Sequence, residues 1–264
     1  MARYHARAKR HDNDQLVERL KQIARKKRRR GYRLAHQQLR QEGWKVNHKR
    51  VHRLWKATGL SVPPRKSRKR LRRTIATLVR DTQALRPALR PDSVWCLDFA
   101  EDRTIHGTKL RLLCVTDEFT RESLALEVGR SFRSEQVCRV LEGLFVSRGT
   151  PAALRMDNGP EFIALALKGL CHRYGINGAY IEPGKPWQNG FAESFVSRLR
   201  DEFLDGEVFL SVLDAQVRLG LWRRYYNEER LHSRIGYQRP RAFAARWRES
   251  SKETVETKEF VGTT

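Results

Sequence analysis

The chain has 264 residues, with 54 Lys and Arg against 30 Asp and Glu and a formal net charge of +24. Its longest apolar run, residues 162–167, is far shorter than the ~20 residues of a membrane helix, and its first ten residues lack the apolar stretch of a signal peptide. The four cysteines (Cys96, Cys114, Cys138 and Cys171) form no CxxC pair. These features argue against a membrane span, a secretory signal and a Cys/His zinc site, and they predict a cytoplasmic protein with buried thiols.

The positive charge is concentrated in the first third of the chain. Residues 1–90 hold 29 Lys/Arg and 5 Asp/Glu, whereas residues 91–264 hold 25 of each. Clustered cations bind polyanions because they neutralise phosphates and release counterions. A solvated tail or an interaction arm is the alternative for the densest runs, 26–30 and 65–70. Since the basic residues alternate with apolar ones at helical spacing, we favour nucleic acid as the partner.

Three short helices are predicted in residues 1–60, which we interpret as a DNA-binding module of the helix-turn-helix type. Apolar residues recur at helical spacing in 13–29, in 33–41 and after Val46, where Asn47 can serve as the N-cap and Gly59 marks the end. The third helix places basic residues outside its apolar stripe, as a helix entering a DNA groove requires. An ordinary solvated surface helix is the alternative. These candidate DNA contacts are His48, Lys49, Arg50, His52, Arg53 and Lys56.

Residues 61–90 are predicted to form a basic linker, with a short helix at 75–85. Beyond it, apolar patterns predict a mixed sheet flanked by helices, as in ribonuclease H. The predicted strands are 94–100, 110–119, 122–128, the segment ending at Asp157, and 179–183; the predicted helices are 134–147, 160–174 and 187–204. We therefore expect an α/β core at 91–210, preceded by the all-α module and followed by a C-terminal helical extension and tail at 211–264.

Three acidic residues, Asp98, Asp157 and Glu193, stand in the motifs WCLDF, LRMDNG and WQNGFAESF. Each has a plain alternative: a solvated acid at a strand end, the first residue of a turn, or an exposed helix charge. Together they are harder to explain in this way, because Asp98 and Asp157 end apolar runs, where an unpaired carboxylate is costly. Two Mg²⁺ or Mn²⁺ ions in phosphoryl transfer need such carboxylates. We expect Asp98 to bridge the metals and the other two acids to hold one each.

Four polar residues accompany these acids. Arg200 lies two turns beyond Glu193 on the same face of the predicted helix and is a candidate contact to a DNA phosphate. Asn158, Gln188 and Asn189 are candidate positioners of DNA, although turn-forming and capping roles explain them nearly as well.

The same motifs carry a family resemblance. W-x-x-D-F around Asp98, D-N-G-x-E-F at 157–162, Q-N-G-x-x-E-S at 188–194 and the cation Arg200 resemble the integrase catalytic core of DDE transposases. The helix-turn-helix segment and the tail at 226–243 resemble OrfB, the second-frame product of the insertion-sequence-three family. The tail departs from the family pattern where a proline, a leucine and a Thr-Pro pair are usual. At these positions the chain has Leu231, Ile235 and Arg239-Pro240.

The resemblance implies a transposase that hydrolyses the 3′ ends of an insertion sequence and joins the freed hydroxyl to another DNA strand. It implies two Mg²⁺ or Mn²⁺ ions per site, double-stranded DNA as substrate, a homo-oligomer on DNA, and fusion to or assembly with an upstream-frame product. One alternative is a ribonuclease H-like nuclease or resolvase that only cuts. Another is a catalytically inert DNA-binding derivative. The basic module argues against the first and the three acids against the second.

Overall fold

The computed structural model describes residues 2–26, 31–61, 87–181 and 186–261. The chain divides into two compact units, one of residues 1–79 with 201–206 and one of residues 80–200 with 207–264. The helix predicted at 75–85 lies outside the described residues. No helix in the described part of the chain combines the length and the apolar character that a membrane span requires.

The first unit contains the three predicted helices, α1 (Ala2–Lys26), α2 (Tyr32–Gln41) and α3 (His48–Ala57). The Asn47 side chain accepts a hydrogen bond from the Lys49 backbone N–H at 2.8 Å, which confirms the predicted N-cap. Helix α1 begins earlier than predicted, since residues 2–12 contain no glycine or proline to stop it. The predicted apolar stripes form one core, made of Leu16, Leu20, Ile23, Ala35, Leu39, Val51 and Trp55.

The second unit is built on a five-stranded mixed sheet, as predicted. Strands β1 (Val94–Arg103), β2 (Lys109–Asp117) and β3 (Ser123–Gly129) are antiparallel, whereas β4 (Ala153–Met156) and β5 (Asn177–Tyr180) continue the sheet parallel to β1. The strand order is β3-β2-β1-β4-β5. Strand β5 begins and ends earlier than the predicted 179–183.

Helices accompany the sheet in the order of the sequence. They are α4 (Ser134–Arg148), α5 (Pro160–Ile163), α6 (Leu165–Arg173), α7 (Gly190–Glu202), α8 (Val212–Glu228) and α9 (Pro240–Val261). The helix predicted at 160–174 is interrupted at Ala164, whose backbone is extended. One continuous helix would set Phe162 and Leu167 about 140° apart, and the break allows both side chains to be fully buried.

The two faces of the sheet carry different side chains of β1. Trp95, Leu97 and Phe99 of β1 pack in the main core with residues of α4, α5 and α6. Because successive side chains of a strand point to opposite faces, Cys96 and Asp98 lie on the other face. Helix α8 packs against β3, where Asn227 Nδ2 donates to the Ser123 carbonyl at 2.9 Å.

Candidate active site

Asp98 lies in the middle of β1, on the sheet face opposite the main core. It pairs across the sheet with Cys114 of β2, and its Oδ1 accepts a hydrogen bond from the Phe99 backbone N–H at 2.8 Å. The side chain is half-buried. The apolar strand of the WCLDF motif thus holds a carboxylate at a fixed point.

Asp157 follows β4, the strand beside β1. Cys96 pairs with Arg155 in the parallel register, and the same register two residues further along places Asp157 beside Asp98. Adjacent strands are ~4.8 Å apart. Asp157 begins a tight turn, in which its Oδ1 accepts a hydrogen bond from the Gly159 backbone N–H at 2.9 Å.

Glu193 is carried on α7, which is tied to β1 on both sides of Asp98. Before the helix, Asn189 Nδ2 donates to the Leu97 carbonyl at 3.1 Å. Near its end, Arg200 Nη2 donates to the Glu101 carbonyl at 3.1 Å. These two anchors hold the helix along β1 and bring Glu193 within electrostatic reach of Asp98.

The three acids interact electrostatically. Burial is the largest cause that raises the pKa of Asp98 to about 6, and the negative charges of Asp157 and Glu193 raise this pKa further. The hydrogen bond from the Phe99 N–H and the positive charge of Arg200 act in the opposite direction. Asp157 and Glu193, from distant parts of the sequence, therefore lie within electrostatic reach of Asp98. Within the described ranges, however, no three His, Cys, Asp or Glu side chains converge closely enough to hold a metal ion.

The predicted amides have partners inside the protein. Asn158 Nδ2 donates to the Ile181 carbonyl at 2.7 Å and so ties the Asp157 turn to the end of β5. Asn189 is buried and holds the start of α7 on β1. Gln188 is half-buried in the short 3-10 turn before α7. The contacts of Asn158 and Asn189 match the turn-forming alternative.

Two residues with no predicted role stand beside Asp157. Glu161 forms an ion pair with Arg111 of β2 at 2.6 Å, and the Arg111 guanidinium lies 4.2 Å from the centre of the Phe99 ring. A Cβ at Gly159 would lie 3.0 Å from Asp157 Oδ1 and 3.4 Å from Glu161 Oε2. Gly159 and Glu161 of the D-N-G-x-E-F motif therefore pack beside the Asp157 turn. The sequence of the motif alone did not predict this contact.

Helix α3 of the first unit carries the other predicted residues. Arg50 is half-buried and donates to Asn13 Oδ1 of α1 at 2.9 Å, so it helps to hold the helices together. The other five side chains, His48, Lys49, His52, Arg53 and Lys56, are exposed. The ring of His52 lies near that of Tyr32, with centroids 4.3 Å apart.

Comparisons with known proteins agree with this architecture. A model of an HTH-like domain matches residues 11–69, and two models of an integrase core domain match residues 88–186 and 174–240. The chain is 36% identical over 251 residues to the insertion element IS407 uncharacterized 31.7 kDa protein of Burkholderia multivorans, covering 95% of this chain and 88% of that protein. The chain is a DDE transposase of the insertion-sequence-three family.

This transposase is also 38% identical over 233 residues to the insertion element IS476 uncharacterized 39.2 kDa protein of Xanthomonas euvesicatoria, covering 88% of this chain and 65% of that protein. Among solved structures, the HTLV-2 integrase catalytic core domain in complex with magnesium is similar at 17% identity, with a TM-score of 0.47 over 60% of this chain and 99% of that chain. The family models and the observed sheet confirm the predicted family and the predicted mixed sheet flanked by helices, preceded by a helical HTH-like module.

Proposed function

We propose that this transposase cleaves the 3′ ends of its element and transfers them to another DNA strand, with Asp98, Asp157 and Glu193 as the catalytic acids. The observation that carries the proposal is that the charges of two other acids, Asp157 in the turn after β4 and Glu193 on α7, reach Asp98 on β1. Because the negative charges of Asp157 and Glu193 raise the pKa of Asp98, a cation bound beside Asp98 would be favoured. Alternatives are a nuclease that only cuts and an inert DNA-binding derivative.

The three acids are proposed to hold two Mg²⁺ or Mn²⁺ ions, with Asp98 between them. The donor set fits, because hard divalent ions prefer carboxylate oxygens and would neutralise the repulsion that raises the pKa of Asp98. Bound ions of this kind stabilise the charge that develops on the attacking and leaving oxygens in phosphodiester exchange. The protein's own part is to hold the carboxylates in place through the anchors from Asn189 and Arg200 to β1.

Arg200 is proposed to contact a phosphate of the DNA strand near the acids. Its charge reaches Asp98, and one of its five N–H donors is used by the Glu101 carbonyl. We propose duplex binding by the first unit through the exposed side chains of α3, His48, Lys49, His52, Arg53 and Lys56. Such contacts to phosphates would make the affinity fall steeply with salt.

We propose further that the chain acts in the cytoplasm as a homo-oligomer on DNA, in assembly with or fused to an upstream-frame product. The homo-oligomer is supported by three apolar side chains of α8 that are more than half exposed, Leu213, Val217 and Leu221. Their spacing aligns them on one side of the helix. Exposed apolar stripes of this kind mark protein interfaces. Light scattering of the DNA complex tests this, since Val217→Asp should reduce the assembly to smaller species.

The catalytic proposal is tested with the purified full chain, Mg²⁺ or Mn²⁺, and labelled DNA that carries the element's end. Joined strands support the transposase, cleavage without joining supports the nuclease, and binding without either supports the inert derivative. Asp157→Asn should abolish joining. Asp102→Asn is the matched control, because Asp102 lies on the same strand as Asp98, and its Oδ1 accepts a bond from its neighbour's N–H at 2.7 Å. Joining by the Asp157→Asn variant would show that the metal assignment of this residue is wrong.

A further inference from the structure

A cavity of about 380 Å³ lies in the second unit, and none of the three acids is among its lining residues. It is bounded by the turn after β2, the first residue pair of α7, the loop 234–238 and the start of α9. We call it the Arg/Phe pocket. Its main walls are Phe119, Arg121, Phe191, Arg234 and Phe243.

Aromatic rings give the Arg/Phe pocket flat walls. The ring of Phe119 lies 5.6 Å from that of Phe243 and 5.7 Å from that of Trp247, so contacts with two aromatic side chains of α9 hold the Phe119 ring. On another wall the Arg121 guanidinium lies 4.1 Å from the centre of the Phe191 ring. Planar walls of this kind suit a planar ligand, because base–aromatic stacking is favourable and tolerates any base.

Two arginines, Arg121 and Arg234, line the same pocket, whereas its one acidic lining residue among those described, Glu118, is paired with Arg155 at 2.6 Å. Arg121 has a left-handed backbone (φ 67°), which is uncommon for a residue other than glycine, and its buried Nε has no hydrogen-bond partner among the described residues. Arg234 is exposed at the pocket. Nearby His232 is buried, and burial followed by the charges of four arginines, including Arg121 and Arg234, lowers its pKa to about 3. The pocket therefore favours an anion, and strain at Arg121 is a common mark of a functional position.

We propose that the Arg/Phe pocket binds one unpaired nucleotide of the DNA substrate, with its base against the phenylalanines and its phosphate on Arg121 and Arg234. A base inside a duplex cannot reach such walls, whereas an extruded base presents both faces. The inference rests on the proposed function, since it names a second contact to the same DNA.

The position of the pocket suits this role. The Glu118 N–H donates to the Val94 carbonyl at 2.9 Å, which places the turn after β2 at the start of β1. Asp98 lies four residues further along the strand, or ~13 Å at ~3.3 Å per residue. At a rise of 3.4 Å per nucleotide, this is the length of about four stacked nucleotides. We therefore place the extruded nucleotide within about four positions of the cleaved bond.

The test compares the affinity of the full chain for three duplexes that share the sequence of the element's end. One duplex is fully paired, one has a single unpaired nucleotide within four positions of the end, and one has an abasic residue at that position. Anisotropy should show the unpaired nucleotide bound between about 5-fold and 100-fold more tightly than the abasic residue. Equal affinity for these two duplexes at all four positions would overturn the proposal.

Three variants locate the effect. Phe243→Leu keeps an apolar side chain but removes the flat wall, so it should abolish the preference for the base over the abasic residue. Arg234→Ala removes an exposed cation and should weaken both complexes equally. Arg246→Ala, an exposed arginine of α9 outside the pocket, is the control and should change neither. A preference that persists in Phe243→Leu, or affinities that are unchanged in Arg234→Ala, would overturn the assignment.

These measurements separate the pocket from the catalytic proposal because they need no cleavage. They are made with Asp157→Asn protein, which is expected to bind but not to join. If strand joining by the unmodified chain fails while the base preference is found, the catalytic proposal falls and the pocket stands. The converse result would leave catalysis intact and remove the pocket.

Discussion

Two groups of acids in the described part of the second unit differ in the arginines around them. The proposed catalytic acids are Asp98, Asp157 and Glu193. The other group, which we call the neutralised cluster, consists of Asp117, Glu118 and Glu122 around the turn after β2. Arg155, which forms an ion pair with Glu118, lies on β4 two residues before Asp157. Arg155 and Asp157 are therefore only ~7 Å apart along the strand.

The neutralised cluster is satisfied by the chain itself. Glu118 pairs with buried Arg155 at 2.6 Å, and Glu122 pairs with Arg148 at 2.7 Å. Asp117 accepts hydrogen bonds from the Thr120 N–H at 2.6 Å and from the Asp92 N–H at 2.7 Å. Each buried acid therefore has a cation or N–H donors placed by the fold.

The proposed catalytic acids are half-buried, whereas the acids of the neutralised cluster are buried, and the charged neighbours of the two groups also differ. Burial is the largest cause that raises the pKa of both Asp98 and Asp117 to about 6. For Asp98, the charges of Asp157 and Glu193 outweigh that of Arg200. Burial of an acid therefore does not identify a catalytic site. A better sign is a cluster in which neighbouring negative charges raise the pKa of one acid, as those of Asp157 and Glu193 do for Asp98.

The largest expected effect is the loss of strand joining in Asp98→Asn. This variant removes the carboxylate at the centre of the site, and the loss should exceed the roughly 10-fold to 100-fold that is usual for an outer-shell partner of a metal. Thermal unfolding should show no loss of stability, because the substitution removes a buried charge with a raised pKa. Gel analysis of joined products checks the first point. Activity near that of the unmodified chain would contradict the comparison.

The opposite result is expected for Glu118→Ala in the neutralised cluster. It leaves the buried guanidinium of Arg155 without its carboxylate, which costs about 3–5 kcal/mol of unfolding free energy for a buried ion pair. Urea unfolding measures this. Glu101→Ala is the control, since the Glu101–Lys109 pair at 2.8 Å is half exposed and should contribute less than about 1 kcal/mol. Equal losses from the two variants would mean that the buried pair has no special role.

Binding of Mg²⁺ should separate the two raised pKa values. In the metal-free protein both Asp98 and Asp117 titrate at about 6 instead of 3.8. The folded state therefore holds extra protons between pH ~4 and ~6, and its stability falls as the pH rises through that window. Saturating Mg²⁺ should lower the pKa of Asp98 and leave that of Asp117 near 6. NMR titration of the carboxyl carbons, assigned with Asp98→Asn and Asp117→Asn, reports both. A shift of equal size at Asp117 would contradict the distinction.

Local signals account for what the sequence predicted well. The helices of the first unit follow from apolar spacing, the Asn47 cap and a glycine stop, all of which act within a few residues. Strand patterns likewise located Asp98 and Asp157. Features set by distant contacts were not readable, such as the pairing of Arg155 with Glu118 and of Arg111 with Glu161. The TDEFTRES segment illustrates the limit, because its acids also follow an apolar run and yet are neutralised inside the fold.

The smallest expected effect concerns the orientation of Asp157. Gly159 has φ −60° and ψ 146°, which alanine adopts without strain. A Cβ there would nevertheless lie 3.0 Å from Asp157 Oδ1, so the carboxylate must move. Because small misplacements in a catalytic site cost up to about 100-fold, Gly159→Ala should reduce strand joining between about tenfold and 100-fold. The free energy of unfolding should change by less than about 1 kcal/mol, because alanine fits this backbone.

Gly143→Ala is the matched control for this substitution. Gly143 lies inside α4, and a Cβ there meets nothing within 4 Å. Since glycine in a helix interior is about 0.5–1 kcal/mol less favourable than alanine, the control should stabilise the protein and leave strand joining unchanged. Comparing these two glycine-to-alanine variants therefore separates the effect of carboxylate orientation on strand joining from the effect of protein stability. Full joining activity in Gly159→Ala would mean that the turn tolerates a displaced carboxylate, and the Asp157 geometry would then matter less than its charge.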